Sequence, residues 1–336
     1  MGSQFVDFNA DGHLDYITAT FDGSPHVSYG SAEGFRTPER IKDAQGQRIL
    51  ISSIWNYETK KHEDLGRAMP DGKARSERCI SALAFDWDGD GDYDLLLGSY
   101  EKGHLYRQMN EGTNKAPKFT GKNIAVMAGD VPFALPAKMT APRLVDWDGD
   151  GDMDLLAGSF SNSWSPQGQG GGVYLARNNG AKGKPVFGAL ETILAPQPKG
   201  GTEPQRPDAG LYADAIDYDG DGDLDLVVGG YSMWTPASRE LSAEEQATVT
   251  RLRAQQQEIQ KRNSELRQKI NAEVAKQAEG LELNSPEWRK KQSAVYATYR
   301  DQTTAIRTEL AEVSKLIGEL VPSPQRKSFV WLYERL

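Results

Sequence analysis

One cysteine, Cys79, stands among 336 residues, so no intrachain disulfide framework exists. With only four scattered histidines, it offers no thiol-nucleophile arrangement and reads as a small buried hydrophobe. No apolar run approaches the ~20 residues that a membrane-spanning helix needs. Residues 1–6, MGSQFV, run straight into a repeat without a leader pattern. The phosphate-binding loop, nucleophile elbow, HExxH and dinucleotide fingerprints are all missing.

What is abundant is glycine, 34 residues, and acid, 48 residues. DWDGDGDYDLLLGS at 86–99 places five aspartates within nine residues and then enters an apolar run. Nearly the same string returns as DWDGDGDMDLLAGS at 146–159 and DYDGDGDLDLVVGG at 217–230. A weaker copy, DFNADGHLDYITAT, occupies 7–20, with Asn9 and Ala10 replacing Asp and Gly. The four loops hold 3, 5, 5 and 5 acidic residues, 18 of the 48. The remaining 30 face 39 Lys and Arg, a balance of +9, so the net charge of −9 resides in the loops. Four dications would bring the total to −1, which is the first sign that the aspartates expect metal.

The repeat extends past the aspartates. GHLYRQMNEGTNKAPKF (103–119) parallels GGVYLARNNGAKGKPVF (171–187), SFVWLYERL (328–336) parallels the start of that segment, and HVSYGSAEGF (26–35) is looser. Each unit reads as short strands separated by Gly-rich turns. One strand leads into the loop, one leaves it, and a third carries Leu105-Tyr106 or Val173-Tyr174-Leu175. A fourth is expected from the Pro-x-Phe segments at Pro117–Phe119 and Pro185–Phe187. Four short strands per unit is the pattern of a propeller blade.

The Asp-rich loop followed by a DLLLGS-type strand resembles the FG-GAP/VCBS repeat of integrin α-like β-propellers. The continuation from Asn110 to Phe119 and from Asn179 to Phe187 is similar to bacterial VCBS-repeat proteins. The resemblance covers most of 3–235 and 328–336 and implies an all-β propeller of about four blades.

Within each loop, D-x-D-x-D-G-x-x-D sets hard oxygen donors at alternating positions, which suits Ca²⁺ with its 6–8 oxygen ligands. The expected side-chain ligands are Asp7, Asn9, Asp11 and Asp15, then Asp86, Asp88, Asp90 and Asp94. Asp146, Asp148, Asp150 and Asp154 follow, then Asp217, Asp219, Asp221 and Asp225. At the seventh position, held by His13, Asp92, Asp152 and Asp223, the backbone carbonyl is the expected donor. The Asp92 side chain is expected to point outward and that of His13 to be exposed. Three to four calcium ions are thus expected. An EF-hand is excluded because it needs an acidic twelfth residue, and that position holds Thr18, Leu97, Ala157 or Val228. Transition metals lack His or Cys at ligand spacing.

After Trp234 the composition changes. Ser242 and Glu245 form a capping box, and Val249, Leu252, Ile259, Leu266 and Ile270 recur at helical spacing. Ser285 and Pro286 begin a second helix carrying Val295, Tyr299, Ile306, Leu310, Val313, Ile317 and Leu320. Two helices of similar length, about 35–38 residues, predict an antiparallel coiled-coil hairpin with Gln256 and Asn263 on its seam. It interrupts the last repeat, so the expected organisation is 1–237 propeller repeats, 238–322 inserted hairpin and 323–336 final propeller strand. Its 14 basic and 13 acidic residues over 238–321 exclude a nucleic-acid arm. It is read either as a solvated spacer or as a partner-binding or self-association element.

The functional expectation is a non-enzymatic, calcium-stabilised binding or adhesion module for a protein or glycan. It is expected outside the cytoplasm, where calcium is plentiful. In the family, loops opposite the calcium face commonly carry recognition, and here they bring Trp55, Tyr57, Tyr100, Trp164, Tyr231 and Trp234. The alternative is a calcium-dependent, polysaccharide-active, lyase-like enzyme, for which His62, Glu63 and Asp64 offer the nearest candidate group. The last blade is expected to be one strand short, because SFVWLYERL has no Pro-x-Phe strand behind it.

Overall fold

The computed structural model describes residues 2–56, 59, 61–65, 77–161, 168–181, 183–204, 206–281 and 285–335. Tyr57, Trp164 and the side chain of His62 lie outside the described residues. The chain divides into two compact units: residues 1–234 with 326–336, and residues 235–325.

Among the described residues the first unit holds seven small sheets, of which four follow the repeat. The first sheet runs Ser3–Val6, Asp15–Ala19, Pro25–Ser28, Glu39–Arg40. The second contains Cys79–Phe85, Asp94–Ser99, Leu105–Gln108 and Ile124–Ala125. Ala141–Val145, Asp154–Gly158, Val173–Ala176 and Glu191–Leu194 make the third. Ala209–Ile216, Asp225–Trp234 and Gln325–Tyr333 make the fourth, which has three strands among the described residues. Each aspartate loop is the connection of the first hairpin, and one register recurs: Val6 pairs with Asp15, Phe85 with Asp94, Val145 with Asp154, Ile216 with Asp225.

The apolar run after the second and third loops is continuous because its strand is covered on both faces. Leu95 and Leu97 share a core with Ile17, Val27 and Phe119 of the first and second repeats. Leu96, pointing the other way, joins Leu155, Ala157, Tyr174 and Phe187. Leu156 and Leu175 turn toward Leu211 and Val228 of the fourth sheet. Each fully buried leucine of this kind is worth roughly 1.5–3 kcal/mol. The glycine closing the strand is a close approach: a Cβ on Gly98 would lie 2.3 Å from the Thr140 carbonyl oxygen, and one on Gly158 2.2 Å from that of Leu211. Only glycine lets the next sheet come so near.

The Pro-x-Phe segments do not open the fourth strand. Phe119 and Phe187 make isolated bridges to Asn110 and Asn178 and are 0% and 3% exposed. The strand starts later, at Ile124 or Glu191. Burial of the rings, rather than ladder pairing, is what these phenylalanines supply.

In the second unit, α1 spans Ala243–Gln277, α2 Pro286–Thr298 and α3 Arg300–Leu320. Ser242 and Glu245 form the capping box, and Ser285 caps α2 ahead of Pro286. Leu252 and Ile259 of α1 pack on Val313, and Leu266, Ile270 and Val274 pack on Val295. Early α1 thus meets late α3, and late α1 meets α2. Gln256 donates to Ser314 Oγ at 3.1 Å, and Arg262 pairs with Glu309 at 2.7 Å. The single long second helix expected from periodicity is divided at Tyr299, whose φ of −101° and ψ of 9° leave the helical well. Its N–H turns back to the Tyr296 carbonyl at 3.2 Å, a tightened i→i+3 turn.

Candidate metal centre

The first aspartate of each loop gathers the backbone. Asp86 accepts N–H groups from Gly89 at 2.8 Å and Gly91 at 3.1 Å. Asp217 accepts from Gly220 at 2.7 Å and Gly222 at 3.3 Å, and Asp7 from Asp11 at 3.0 Å and Gly12 at 2.9 Å. The wrap depends on a left-handed residue at the sixth position: Gly12, Gly91, Gly151 and Gly222 have φ of +92°, +93°, +93° and +98°. The fourth position is also left-handed. Gly89, Gly149 and Gly220 hold it without strain, but in the first loop Ala10 holds it at φ +54°.

The chain turned in this way brings the first, third and fifth carboxylates together. In the sets Asp86–Asp88–Asp90, Asp146–Asp148–Asp150 and Asp217–Asp219–Asp221, one oxygen from each lies within 4.8 Å of the others. Donors on opposite sides of one calcium ion, at 2.3–2.6 Å each, stand about 4.8 Å apart. The donor set is all oxygen and anionic. Buried oxygens of Asp92, Asp146 and Asp223 have no partner among the described residues. Unpaired buried carboxylate oxygen is costly, and a hard cation is the group that relieves it, so these residues fit calcium. In the first loop Asn9 Oδ1 takes the third position and accepts from Asp11 N at 3.0 Å. The third loop has a resident cation as well: Arg177 reaches Asp148 at 2.8 Å and Glu191 at 2.9 Å.

Asp92 corrects one expectation. It does not point outward: it is 7% exposed, and burial, followed by Asp90, Asp88 and Asp86, pushes its carboxyl above the usual range. Asp223 is raised in the same way, with Arg335 pulling against its acidic neighbours. His13 is exposed, and its N–H donates to Asp11 Oδ1 at 2.9 Å.

The ninth position has a structural task that pattern reading missed. Asp94 accepts from Trp87 N at 3.1 Å on one oxygen and from Asn110 N at 2.7 Å on the other. Asp15 takes Phe8 N at 3.0 Å and Gly30 N at 2.8 Å; Asp154 takes Trp147 N at 3.0 Å and Asn178 N at 2.7 Å. Asp225 takes Tyr218 N at 3.0 Å and Arg335 N at 2.9 Å. Each thus clamps the loop to the end of the third strand. Burial pushes the Asp94 carboxyl up to about 6, against the pull of the Asn110 and Trp87 N–H groups. The N–H comes from the second loop position, an aromatic in all four copies, but it is a backbone group, so the side chain carried no signal for the clamp.

Those aromatics also join the repeats. Phe8 stacks with Phe119 at 6.2 Å, Trp87 meets Phe187 at 5.9 Å, and Trp147 lies 5.4 Å from the Arg335 guanidinium. Each ring reaches into the following repeat. Tyr218, in the last loop, is 65% exposed.

Residues 86–157 and 146–228 each match the family model described as FG-GAP-like repeat. The chain carries FG-GAP-like repeats over residues 86–228. Each FG-GAP match begins on the first aspartate of one loop and ends in the strand after the next, so the family's period is the loop-to-loop period described above. No curated protein matches the chain.

Other expected site residues go elsewhere. Tyr100 is 7% exposed beneath the Arg78 guanidinium at 4.6 Å, and Tyr231 packs on Phe160 with Arg326 3.8 Å above its ring. Trp55 and Trp234 are half-buried. Glu63 and Asp64 lie on Lys61–Asp64, paired with Ser53–Asn56, and Glu63 accepts from Asn56 at 2.7 Å. Glu77, His104 and Tyr106 do converge, with Glu77 2.7 Å from His104 Nδ1. Glu77 is fully buried and Tyr106 3% exposed, which makes this an internal tie. Cys79 is buried, and burial pushes its thiol up.

Proposed function

We propose that the chain is a calcium-stabilised binding or adhesion module whose four repeats form propeller-type blades. One observation carries the reading: three aspartate triplets, each at the start of a repeat, converge to the spacing of oxygens around a single hard cation. Calcium, when bound, supplies positive charge that cancels the mutual repulsion of the carboxylates. The chain's own residues do the rest. The first aspartate organises the loop, and the third and fifth face it. The ninth ties the loop to the third strand, so that metal binding rigidifies one hairpin per repeat. The fold family's association with binding supports a protein or glycan partner. Residues 238–322, read as a coiled-coil hairpin, serve as a partner-binding or self-association element. The setting is extracytoplasmic, where calcium suffices to fill such sites.

Titration calorimetry and elemental analysis test this. Three to four calcium ions per chain are expected, with a melting temperature that rises in calcium as for any ligand bound only by the folded state. A metal-free preparation whose melting curve ignores both calcium and EGTA would refute it.

A further inference from the structure

At the end of Ala209–Ile216 remote from the fourth aspartate loop lies a cleft of about 440 Å³, within the range of small-ligand sites. The strand between them has eight residues, so the cleft and the loop stand about 26 Å apart. Its walls include Gln197, Thr202, Glu203, Arg206, Asp208 and Ser232. Backbone hydrogen bonds frame it. Pro198–Lys199 pairs with Gly168–Gln169, Gly170 N donates to the Gln197 carbonyl at 2.8 Å, and Gly171 N donates to that of Asp208 at 2.7 Å.

The floor is unusual. Asp208 is 8% exposed and Ser232 3%. Ser232 Oγ donates to Asp208 Oδ2, while Oδ1 is buried without a partner. Arg206 Nε is likewise buried and unpartnered, although its terminal nitrogen reaches the Ala195 carbonyl. Burial pushes the Asp208 carboxyl up, against the Ser232 hydroxyl first and then Lys199 and Arg206; Lys199, 9% exposed, stands behind the floor and contacts Ser161 Oγ at 3.3 Å. One unmet acceptor and one unmet donor thus meet at one cleft.

Charge selects the ligand class. Arg206 lines the cleft with Glu203 and Asp208, and Lys199, which stands behind the floor, offsets the charge of Asp208, so an anion meets two carboxylates and a cation meets the Arg206 guanidinium and the field of Lys199. A neutral molecule bearing adjacent groups that both donate and accept satisfies carboxylate, guanidinium, amide and hydroxyl together. We propose that this cleft binds a neutral sugar unit through its vicinal hydroxyls. The proposal rests on the binding-module reading and gives it a site and a ligand class.

The test uses the full chain in calcium, titrated by calorimetry and saturation-transfer NMR with neutral methyl hexosides. Methyl glucuronide and glucosamine serve as charged contrasts. At least one neutral hexoside should saturate, with the charged sugars about tenfold weaker or more. Arg206→Ala and Gln197→Ala should each weaken binding by about tenfold, as expected for a lost hydrogen bond at a charged or enclosed group. Asp208→Asn should weaken it similarly. If Arg206→Ala lowers the melting temperature, Gln197→Ala, at the cleft wall, decides. Absence of binding by every neutral hexoside overturns the proposal. So does tighter binding of a charged sugar, or full affinity in both the Arg206 and Gln197 variants. Calcium melting curves on the same samples read the module proposal separately, so either can fail while the other stands.

Discussion

Arg335 donates its backbone N–H to Asp225 Oδ1 at 2.9 Å across 110 residues of sequence. In the other repeats the same clamp closes on Gly30, Asn110 and Asn178, which follow their aspartates by 15, 16 and 24 residues. The fourth repeat therefore resumes after the helices, and Arg335 occupies the place of the asparagine in the second and third. Its guanidinium also donates to the Trp147 carbonyl at 3.0 Å, tying that repeat to the one before.

The clamp and the metal ligands separate by mutation. Asp94→Asn leaves one of two buried backbone donors facing an amide and should cost about 1–3 kcal/mol in calcium and in EGTA alike. Asp90→Asn should lower stability in calcium only, because without metal it removes one of several crowded charges. Paired melting curves in the two conditions read this; equal losses for Asp90→Asn in both would place it outside the metal set.

Ala10 sits at φ +54° where the other loops have glycine. A left-handed conformation costs an alanine roughly 1–2 kcal/mol, part of which is returned by the greater freedom of glycine in the unfolded chain. Ala10→Gly should stabilise by about 1 kcal/mol, measured by urea denaturation. Gly89→Ala should do the opposite.

Glu245 carries a pH signature. The Arg239 side chain, then the Ser242 N–H, hold its carboxylate down to about 2. A depressed folded value means the associated stabilisation is complete above about pH 4.5 and is lost as pH falls through about 2. Carboxyl-resolved NMR titration should find that midpoint, and Arg239→Ala should move it upward. Ser242→Ala should cost the helix about 1 kcal/mol.

Replacing 238–323 with a short Gly-Ser turn should leave a soluble, calcium-responsive protein. The clamp between Asp225 and Arg335, and the packing of Tyr333 in the third core, both lie within the first unit. Circular dichroism should show the helical signal gone and a cooperative β transition retained. A deletion that cannot fold in calcium would make the helices part of the core.

Local chemistry made much of the molecule legible from sequence. Alternating carboxylates with glycine at the sixth position determine the loop, because that turn needs only its own backbone and a left-handed residue. The run Leu95-Leu96-Leu97 determines a strand covered on both faces, and Ser242 with Glu245 determines where α1 begins. Tertiary structure alone decided what depends on partners far along the chain. Asp94 became a clamp because Asn110 N arrives opposite Trp87 N, and Asp92 was buried by its surroundings where the pattern suggested exposure. Tyr299 divided a helix whose periodicity runs straight through it. Asp208, Arg206 and Gln197 recur at no period and belong to no motif. They became a cleft because backbone hydrogen bonds from 168–171 hold two connecting segments side by side, an arrangement set by packing between repeats and written in no single stretch of residues.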